Sequence, residues 1–302
     1  MTALVYLIKR NLKIYFKDRG MFVASMITPV ILLVLYALFL ARIFKDGFVS
    51  ALPDGVTLPD KVLGGAVGAQ LVSSLLAVCS ITVSFCANLV MVNDRVTGAV
   101  DDLLMTSTDR TIITLGYYFA TVLSALVICA LALAASLIYL AVVGFYLSAL
   151  DVLLIVLDVV ILVNFGAALS TLIFFPMKTE GQSSAVTTIV SAGYGFICGA
   201  YMPIASFPKA IANAVTFLPG TYGTVILRNH AFRGVLKEMT SLGVPDAVIE
   251  GLRDTVDCNI YFFGKQIPLY ASFIALAGAV VLLLVAVAVV AVVSGKKRGK
   301  KG

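Results

Sequence analysis

The chain predicts an all-α polytopic membrane protein with six transmembrane helices, an N-terminal amphipathic interfacial helix, a charged helical island on the cytoplasmic side and re-entrant external half-helices before the last span. Three observations carry this. Of 302 residues, 61% are hydrophobic and 13% charged, too apolar for a soluble domain. Six runs can cross about 30 Å of hydrocarbon at about 1.5 Å per residue: Met21–Leu40, Val67–Met91, Tyr118–Val143, Val152–Phe175, Ser183–Met202 and Leu269–Val293. All the charged residues but Asp158 fall outside these runs, at the two ends, in a central island and in the connecting stretches.

The division that follows is 1–20 as an amphipathic helix, 21–293 as the transmembrane domain and 294–302 as a basic tail. Leu4, Leu7, Ile8, Leu12 and Tyr15 share one face of the first segment, and Lys9, Lys13 and Lys17 take others, the pattern of a helix lying on a membrane surface. A cleavable signal is disfavoured because the following apolar run is too long and lacks a small-residue cleavage motif. A simple lipid anchor is the other reading of this helix. Lys9, Arg10, Lys13, Lys17 and Arg19 precede the first span, and Lys296, Lys297, Arg298, Lys300 and Lys301 follow the last. Both termini are therefore expected in the cytoplasm of a multi-pass cell (inner or plasma) membrane protein. These clusters account for most of the formal +6 charge, which topology and lipid headgroups explain without nucleic acid.

Pro29 is expected to bend the first span, and an external loop follows with Arg42, Lys45 and Asp46 near the membrane and Pro53, Asp54, Gly55 and Pro59 as turn residues. The second span carries Gln70, Ser73, Ala77, Ser80, Ser84 and Asn88 at steps of three and four. The fifth repeats the device with Ser184, Thr187, Ser191, Gly195 and Cys198, Tyr194 lying alongside. Such stripes serve close helix packing and interhelical hydrogen bonds, or line a path for an amphiphile, and the two roles can coexist.

Asp158 lies about two turns inside the fourth span. At that depth an ionisable group implies a function or a buried partner; if the helix begins later, Asp158 is interfacial, with Asp151 one heptad before it. Asn164 and Ser170 continue its polar positions, and Pro176–Gly181 makes a short turn. Tyr36, Tyr139, Tyr146, Tyr201 and Tyr270 fall near predicted interfaces as belt anchors.

After the fifth span, Pro203, Pro208 and Pro219 punctuate two segments too short to cross, Lys209–Leu218 and Thr221–Asn229. Residues 231–266 are polar and suggest one or two short helices forming an external cap, within a region of half-helices and cap spanning about 203–267. The five cysteines show no metal or disulfide spacing. Cys79, Cys86, Cys129 and Cys198 read as small apolar residues in spans, Cys258 as external and unpaired. One histidine, His230, is placed externally, which leaves no metal site and no convincing catalytic dyad; no catalytic residue is expected.

The island reads Asn93-Asp94-Arg95-Val96-Thr97-Gly98-Ala99-Val100-Asp101-Asp102-Leu103-Leu104-Met105-Thr106-Ser107-Thr108-Asp109-Arg110. Val96, Val100, Leu103 and Leu104 keep helical spacing, Asp101 and Asp102 lie in the helix, and Thr106 to Asp109 suit a helix end followed by a new cap. It resembles, without a gap, the signature R-E-K-G-T-L-E-x-L-L-x-T-P-x-S-R, then L-G-K, of ABC-2 type (type V) exporter permeases. Arg95, Gly98, Asp101, Leu103, Leu104, Thr106, Arg110, Leu115 and Gly116 fall in register. Asp101 stands for the usual glutamate, Ser107 for proline and Tyr117 for lysine. Gly199–Pro203, Phe207-Pro208, Leu218–Tyr222 and Leu227-Arg228 are similar to the same family.

The resemblance implies that the region of about 93–110 is a coupling helix seated on a separate ATPase subunit, with Arg95, Gly98, Asp101, Asp102, Leu103, Leu104, Thr106 and Arg110 in the coupling element. It implies a connecting helix at the N-terminus. It favours Gln70, Ser73, Ser80, Ser84, Asn88, Asp158, Ser184, Thr187, Ser191 and Tyr194 as a substrate path, because these helices border the dimer cavity in that family. It also implies an outer gate, here Pro203, Pro208, Pro219, Tyr222 and Arg228.

No G-x-x-x-x-G-K-[ST] occurs in the chain, so the chain is expected to be a transport subunit and not itself an enzyme. ATP and Mg would be bound by the partner ATPase, and this chain would hold no cofactor. Six spans against the family's usual twelve imply a second permease copy or a paralogue. The expected cargo is an amphiphile: a drug, antibiotic, lipid or lipid-linked glycan. The alternatives are an ion-coupled secondary carrier using Asp158, or a non-transporting membrane assembly protein.

Overall fold

A computed structural model describes residues 2–50, 52, 58–106 and 108–296. The expected turn at Pro53, Asp54 and Gly55, the Ser107 departure and the basic residues Lys297, Arg298, Lys300 and Lys301 lie outside the described residues. The described chain is helical apart from a small hairpin.

The N-terminal helix α1 (Thr2–Lys17) packs along α7 (Arg110–Val143). Asp18 then caps α2 (Arg19–Leu35), accepting from the backbone N–H of Gly20 at 2.8 Å and Met21 at 3.1 Å. The expected bend at Pro29 is not a break, for α2 passes through it. The irregularity falls later, as a π-helical segment at Tyr36–Leu40. The helix then continues as α3 (Ala41–Ser50), so the stretch with Arg42, Lys45 and Asp46, expected as a loop, is helical. Tyr36 is not a belt anchor either: it is buried, donates to Ser74 Oγ at 3.3 Å and stacks on Phe44.

At the centre stands α4 (Asp60–Ala87), enclosed by α2, α7, α8 (Ala149–Phe174), α9 (Glu180–Ile197) and α11 (Pro219–Ser241). Its small residues admit this crowding, since glycine, alanine and serine let neighbouring backbones approach. A kink at Asn88 leads into α5 (Leu89–Val96), and Gly98 separates α5 from α6 (Ala99–Met105). Ser148 and Asp151 start α8 with a reciprocal capping box: Asp151 N–H donates to Ser148 Oγ at 3.2 Å, and Ser148 N–H to Asp151 Oδ2 at 2.9 Å. The last helix, α13 (Leu269–Lys296), packs on α8 and α11.

Among the described residues, five helical stretches are long and apolar enough to cross a membrane: Arg19–Ser50, Asp60–Val96, Arg110–Val143, Ala149–Phe174 and Leu269–Val293. The predicted fifth span, α9, is not among them, because Glu180, Gln182 and a run of Ser and Thr dilute its apolar content. A sixth candidate is the pair α10 (Lys209–Thr216) and α11, bent by 91°.

This pair also corrects the two short segments expected here. The second half-helix is 23 residues long and absorbs His230 and the first part of the predicted cap. It packs antiparallel along the first half of α8. A Cβ on Gly223 would meet Leu162, His230 meets Asp158, Arg233 meets Asp151, and a Cβ on Gly234 would stand 1.9 Å from the Tyr146 carbonyl oxygen. Gly234 is thus required where α11 crosses the α7–α8 connection. The cap is reduced to α12 (Asp246–Thr255) and a hairpin of β1 (Ile260–Phe262) with β2 (Lys265–Ile267). Ile260 pairs with Ile267 and Phe262 with Lys265, and Phe263 and Gly264 turn the hairpin with positive φ, as a two-residue loop demands.

Candidate functional site: the coupling elbow and the buried ion pairs

The α5–α6 elbow is built by one backbone reversal and two sets of charged contacts. Gly98 has φ +82, which an L side chain rarely adopts, and it ends α5 so that α6 turns away from the span. The expected single helix through Val96 and Val100 is therefore broken between them. Val96 is exposed, while Val100, Leu103 and Leu104 pack on the bundle. Asp101, Asp102, Thr106 and Met105 face outward, Met105 at 84% exposure. Thr106 closes the element, its Oγ1 donating to the Leu103 carbonyl at 2.6 Å. Arg110 opens α7, half-buried beside the elbow.

Arg95 anchors the elbow to α8. Its Nη1 donates to three carbonyls at the α8 C-terminus, Phe174 at 3.1 Å, Phe175 at 2.8 Å and Met177 at 2.5 Å. A helix end leaves carbonyls unpaired and carries partial negative charge, so a guanidinium is well matched to it. The Phe175 ring lies 5.7 Å from the same guanidinium.

Asp94, one residue earlier, fastens the elbow to α1 and α7. Arg10 grips it with both Nη atoms, Nη2 donating to Oδ1 at 3.1 Å, and Tyr117 Oη donates to Oδ2 at 2.6 Å. Tyr15, on the same helix as Arg10, donates to Ser25 Oγ at 2.6 Å, and burial pushes its phenol up to about 12. So α1 is tied at two points, to α5 through Arg10 and to α2 through Tyr15. Sequence reasoning named Arg95 but passed over Asp94 with Arg10 and Tyr117. The signal available was the replacement of lysine by Tyr117 together with a carboxylate just inside the span.

Of the candidate path residues, Gln70, Ser73, Ser80, Ser84 and Asn88 are all buried within this one chain. The serines donate to carbonyls of their own helix. Asn88 is a three-helix clasp: its Nδ2 donates to Ser170 Oγ at 3.0 Å and Thr171 Oγ1 at 3.1 Å, and Thr121 Oγ1 donates to its Oδ1 at 3.2 Å. On α9, Ser184 is exposed, Ser191 and Tyr194 are half-buried and Thr187 is buried. The two stripes therefore do not face a common open space within the chain. An open apolar cleft of about 720 Å³ lies instead between α2 and the end of α9, lined by residues that include Ile31, Leu35, Phe39, Phe196 and Tyr201.

Asp158 is buried at 1% exposure, with its Oδ2 2.6 Å from Nδ1 of His230. His230 is thus enclosed in the bundle rather than carried on an exposed segment, and Asp158 has a buried partner. The cause is the length of α11, which carries His230 beside α8, about 14 Å along the latter from its start. His230→Ala leaves a buried carboxylate alone and is expected to destabilise the solubilised chain by about 3 kcal/mol. Asp158→Asn, which keeps the shape, should cost less. A thermal-unfolding series checks both, and unchanged midpoints would mean the pair is solvated.

Among the gate residues, Pro203 and Pro208 precede the 3₁₀ turn Ile204–Ser206 and α10, and Pro219 begins α11 at the position where a missing N–H costs nothing. Tyr222 is half-buried. Arg228 is fully buried. Its Nη1 donates to Asp257 Oδ2 at 2.8 Å, its Nη2 to the Gly199 carbonyl, and Asp257 also accepts from the N–H of Ile204 at 2.7 Å and of Ala205 at 3.2 Å. Burial pushes the Asp257 carboxyl up, against the pull of Arg228 and those N–H groups. One ion pair thus joins α11, the segment after α9 and the cap.

Apolar helices long enough to cross a membrane, packed into one bundle with a sharply bent helix pair and an outward-facing elbow, define a multi-pass membrane protein. A family model described as ABC-2 family transporter protein matches residues 54–294. The chain belongs to that family and is a membrane permease of an ABC transporter, the transmembrane subunit and not the ATPase, and its family implies pairing with an ABC ATPase subunit. No curated protein matches the chain.

Proposed function

We propose that the chain is the membrane half of an exporter that moves an amphiphilic substrate out of the cytoplasm or inner leaflet, driven by a separate ATPase that docks on α6. The observation that carries this reading is the elbow. It offers Asp101, Asp102 and Met105 to a partner while Arg95 and Asp94 bind it to α8, α7 and α1, so a push on α6 is passed to several helices at once. On this reading ATP and Mg sit on the partner, α1 and both termini are cytoplasmic, α10 and α11 form the outer gate, and the surrounding bilayer is a cell membrane.

The substrate route is proposed at a pairing of two permeases, identical or paralogous, along the exposed faces of α2 and α9 and their apolar cleft. The α9 wall of this cleft is Ala192 and Phe196, on the helix that also carries Ser184, Thr187, Ser191 and Tyr194. A cleft of this size and apolar character suits a lipid-like or drug-like cargo rather than a bare ion. Inverted membrane vesicles holding this chain with its ATPase should accumulate a fluorescent amphiphilic dye on addition of ATP. Accumulation of small hydrophilic ions with no dye uptake would contradict the substrate class.

A further inference from the structure

Behind α6, between the segment that follows α8 and the first two turns of α7, lies a cavity of about 340 Å³. Its lining is mixed: Met91, Ile113 and Phe175 are apolar, and Arg95, Arg110 and Lys178 bring three cations. Among the described residues that line it, none is Asp or Glu. The nearby carboxylate of Asp94 is already gripped by Arg10 and Tyr117. Arg95 spends only Nη1 on the α8 carbonyls, which leaves Nη2 and Nε for another acceptor. Like charges gathered around one concavity raise the local anion concentration, and a guanidinium suits a phosphate by geometry as well as charge.

We infer that this cavity binds a phosphate monoester or diester carrying an apolar substituent, and that its source is an anionic phospholipid of the cytoplasmic leaflet. Two features favour a lipid over a free phosphate. The apolar residues of the lining give the first carbons of an acyl glycerol a place to pack, and the cavity lies at the ends of α7 and α8, where headgroups sit. The inner leaflet is also the anionic one. Bound there, the headgroup would wedge between α6 and the bundle and stiffen the elbow; that consequence rests on the proposed docking of an ATPase at α6, whereas the binding itself does not.

The test therefore uses the permease alone. The chain, purified in mild detergent, is offered equal amounts of phosphatidylglycerol and phosphatidylcholine, and the retained lipid is counted by native mass spectrometry. The wild type is expected to retain phosphatidylglycerol in preference. Lys178→Gln should lower that retention about fivefold, from about 1 kcal/mol per basic residue near a charged surface, and leave phosphatidylcholine unchanged. Lys178 is exposed and outside the elbow's bonds, so folding should be unaffected, and Arg110→Gln gives a second variant. Preference that survives excess inorganic phosphate assigns the site to the lipid. Preference abolished by inorganic phosphate overturns the lipid source in favour of a soluble phosphate. Equal retention of both lipids by the wild type, or undiminished preference in both variants, overturns the site.

Discussion

Replacing Arg228 by alanine should lower the stability of the solubilised chain by about 3–5 kcal/mol, the cost of stranding one member of a buried ion pair. The loss would be local first. Asp257 would keep the N–H groups of Ile204 and Ala205 but lose its countercharge, and the Gly199 carbonyl would lose its donor. These are the bonds that hold the segment after α9 against α11 and the cap. Cys258 reports the change, because it is buried next to Asp257 and burial pushes its thiol up to about 12. Freed, it should return towards an ordinary thiol, and its alkylation by a maleimide should accelerate on the order of a hundredfold. Asp257→Asn should destabilise for the reciprocal reason. Arg228→Met combined with Asp257→Asn should cost less than the two single changes added, since no charge is left unpaired. An unchanged midpoint with an unreactive Cys258 would mean the pair does not secure this end of the bundle.

Arg95→Ala should separate assembly from coupling. The variant loses three bonds from one charged donor, each worth about 1.5–3 kcal/mol when the donor is ionised, yet α6 keeps its own helix and its packing through Leu103 and Leu104. Insertion and recruitment of the ATPase are therefore expected to survive, while ATP-driven transport falls roughly tenfold because α6 no longer carries α8 with it. Arg95→Lys should rescue in part, since an ammonium can donate to the same carbonyls but lacks the planar guanidinium face that lies over the Phe175 ring. Transport at wild-type rate in Arg95→Ala would show that the force passes elsewhere, with Asp94 and Arg10 the next residues to change.

The elements that were legible in the sequence are those written in composition and short-range pattern. Long apolar runs marked the main spans, and a gapless sixteen-residue stretch from Arg95 to Arg110 marked the elbow. Misreadings arose where tertiary contacts decide. The π-helical segment at Tyr36–Leu40 had no signal in the sequence. The stretch after Pro219 looked polar enough to leave the bundle, because Arg228, His230 and Arg233 carry charge-bearing groups into it. Their partners Asp257, Asp158 and Asp151 are 29, 72 and 82 residues away in sequence, and no local pattern announces such pairs. The same blindness hid Arg10 with Asp94. Within the candidate site, Arg95 and Gly98 were legible because each does one thing that few residues can do, a long-reaching cation at a helix end and a positive φ. The polar stripe on α4 was legible as a stripe, but which neighbours close over it depends on the whole bundle.

The most direct measurement of the central claim is co-purification of the tagged wild-type chain in mild detergent, with the ATPase activity and stoichiometry of whatever accompanies it. The account predicts that an ABC ATPase is retained in equal amount with the permease, and that Asp102→Lys, a charge reversal on the exposed face of α6, releases it while leaving the permease folded. A chain that purifies alone, or an ATPase that stays bound with α6 reversed, would contradict the assignment of α6 as the site where the motor docks.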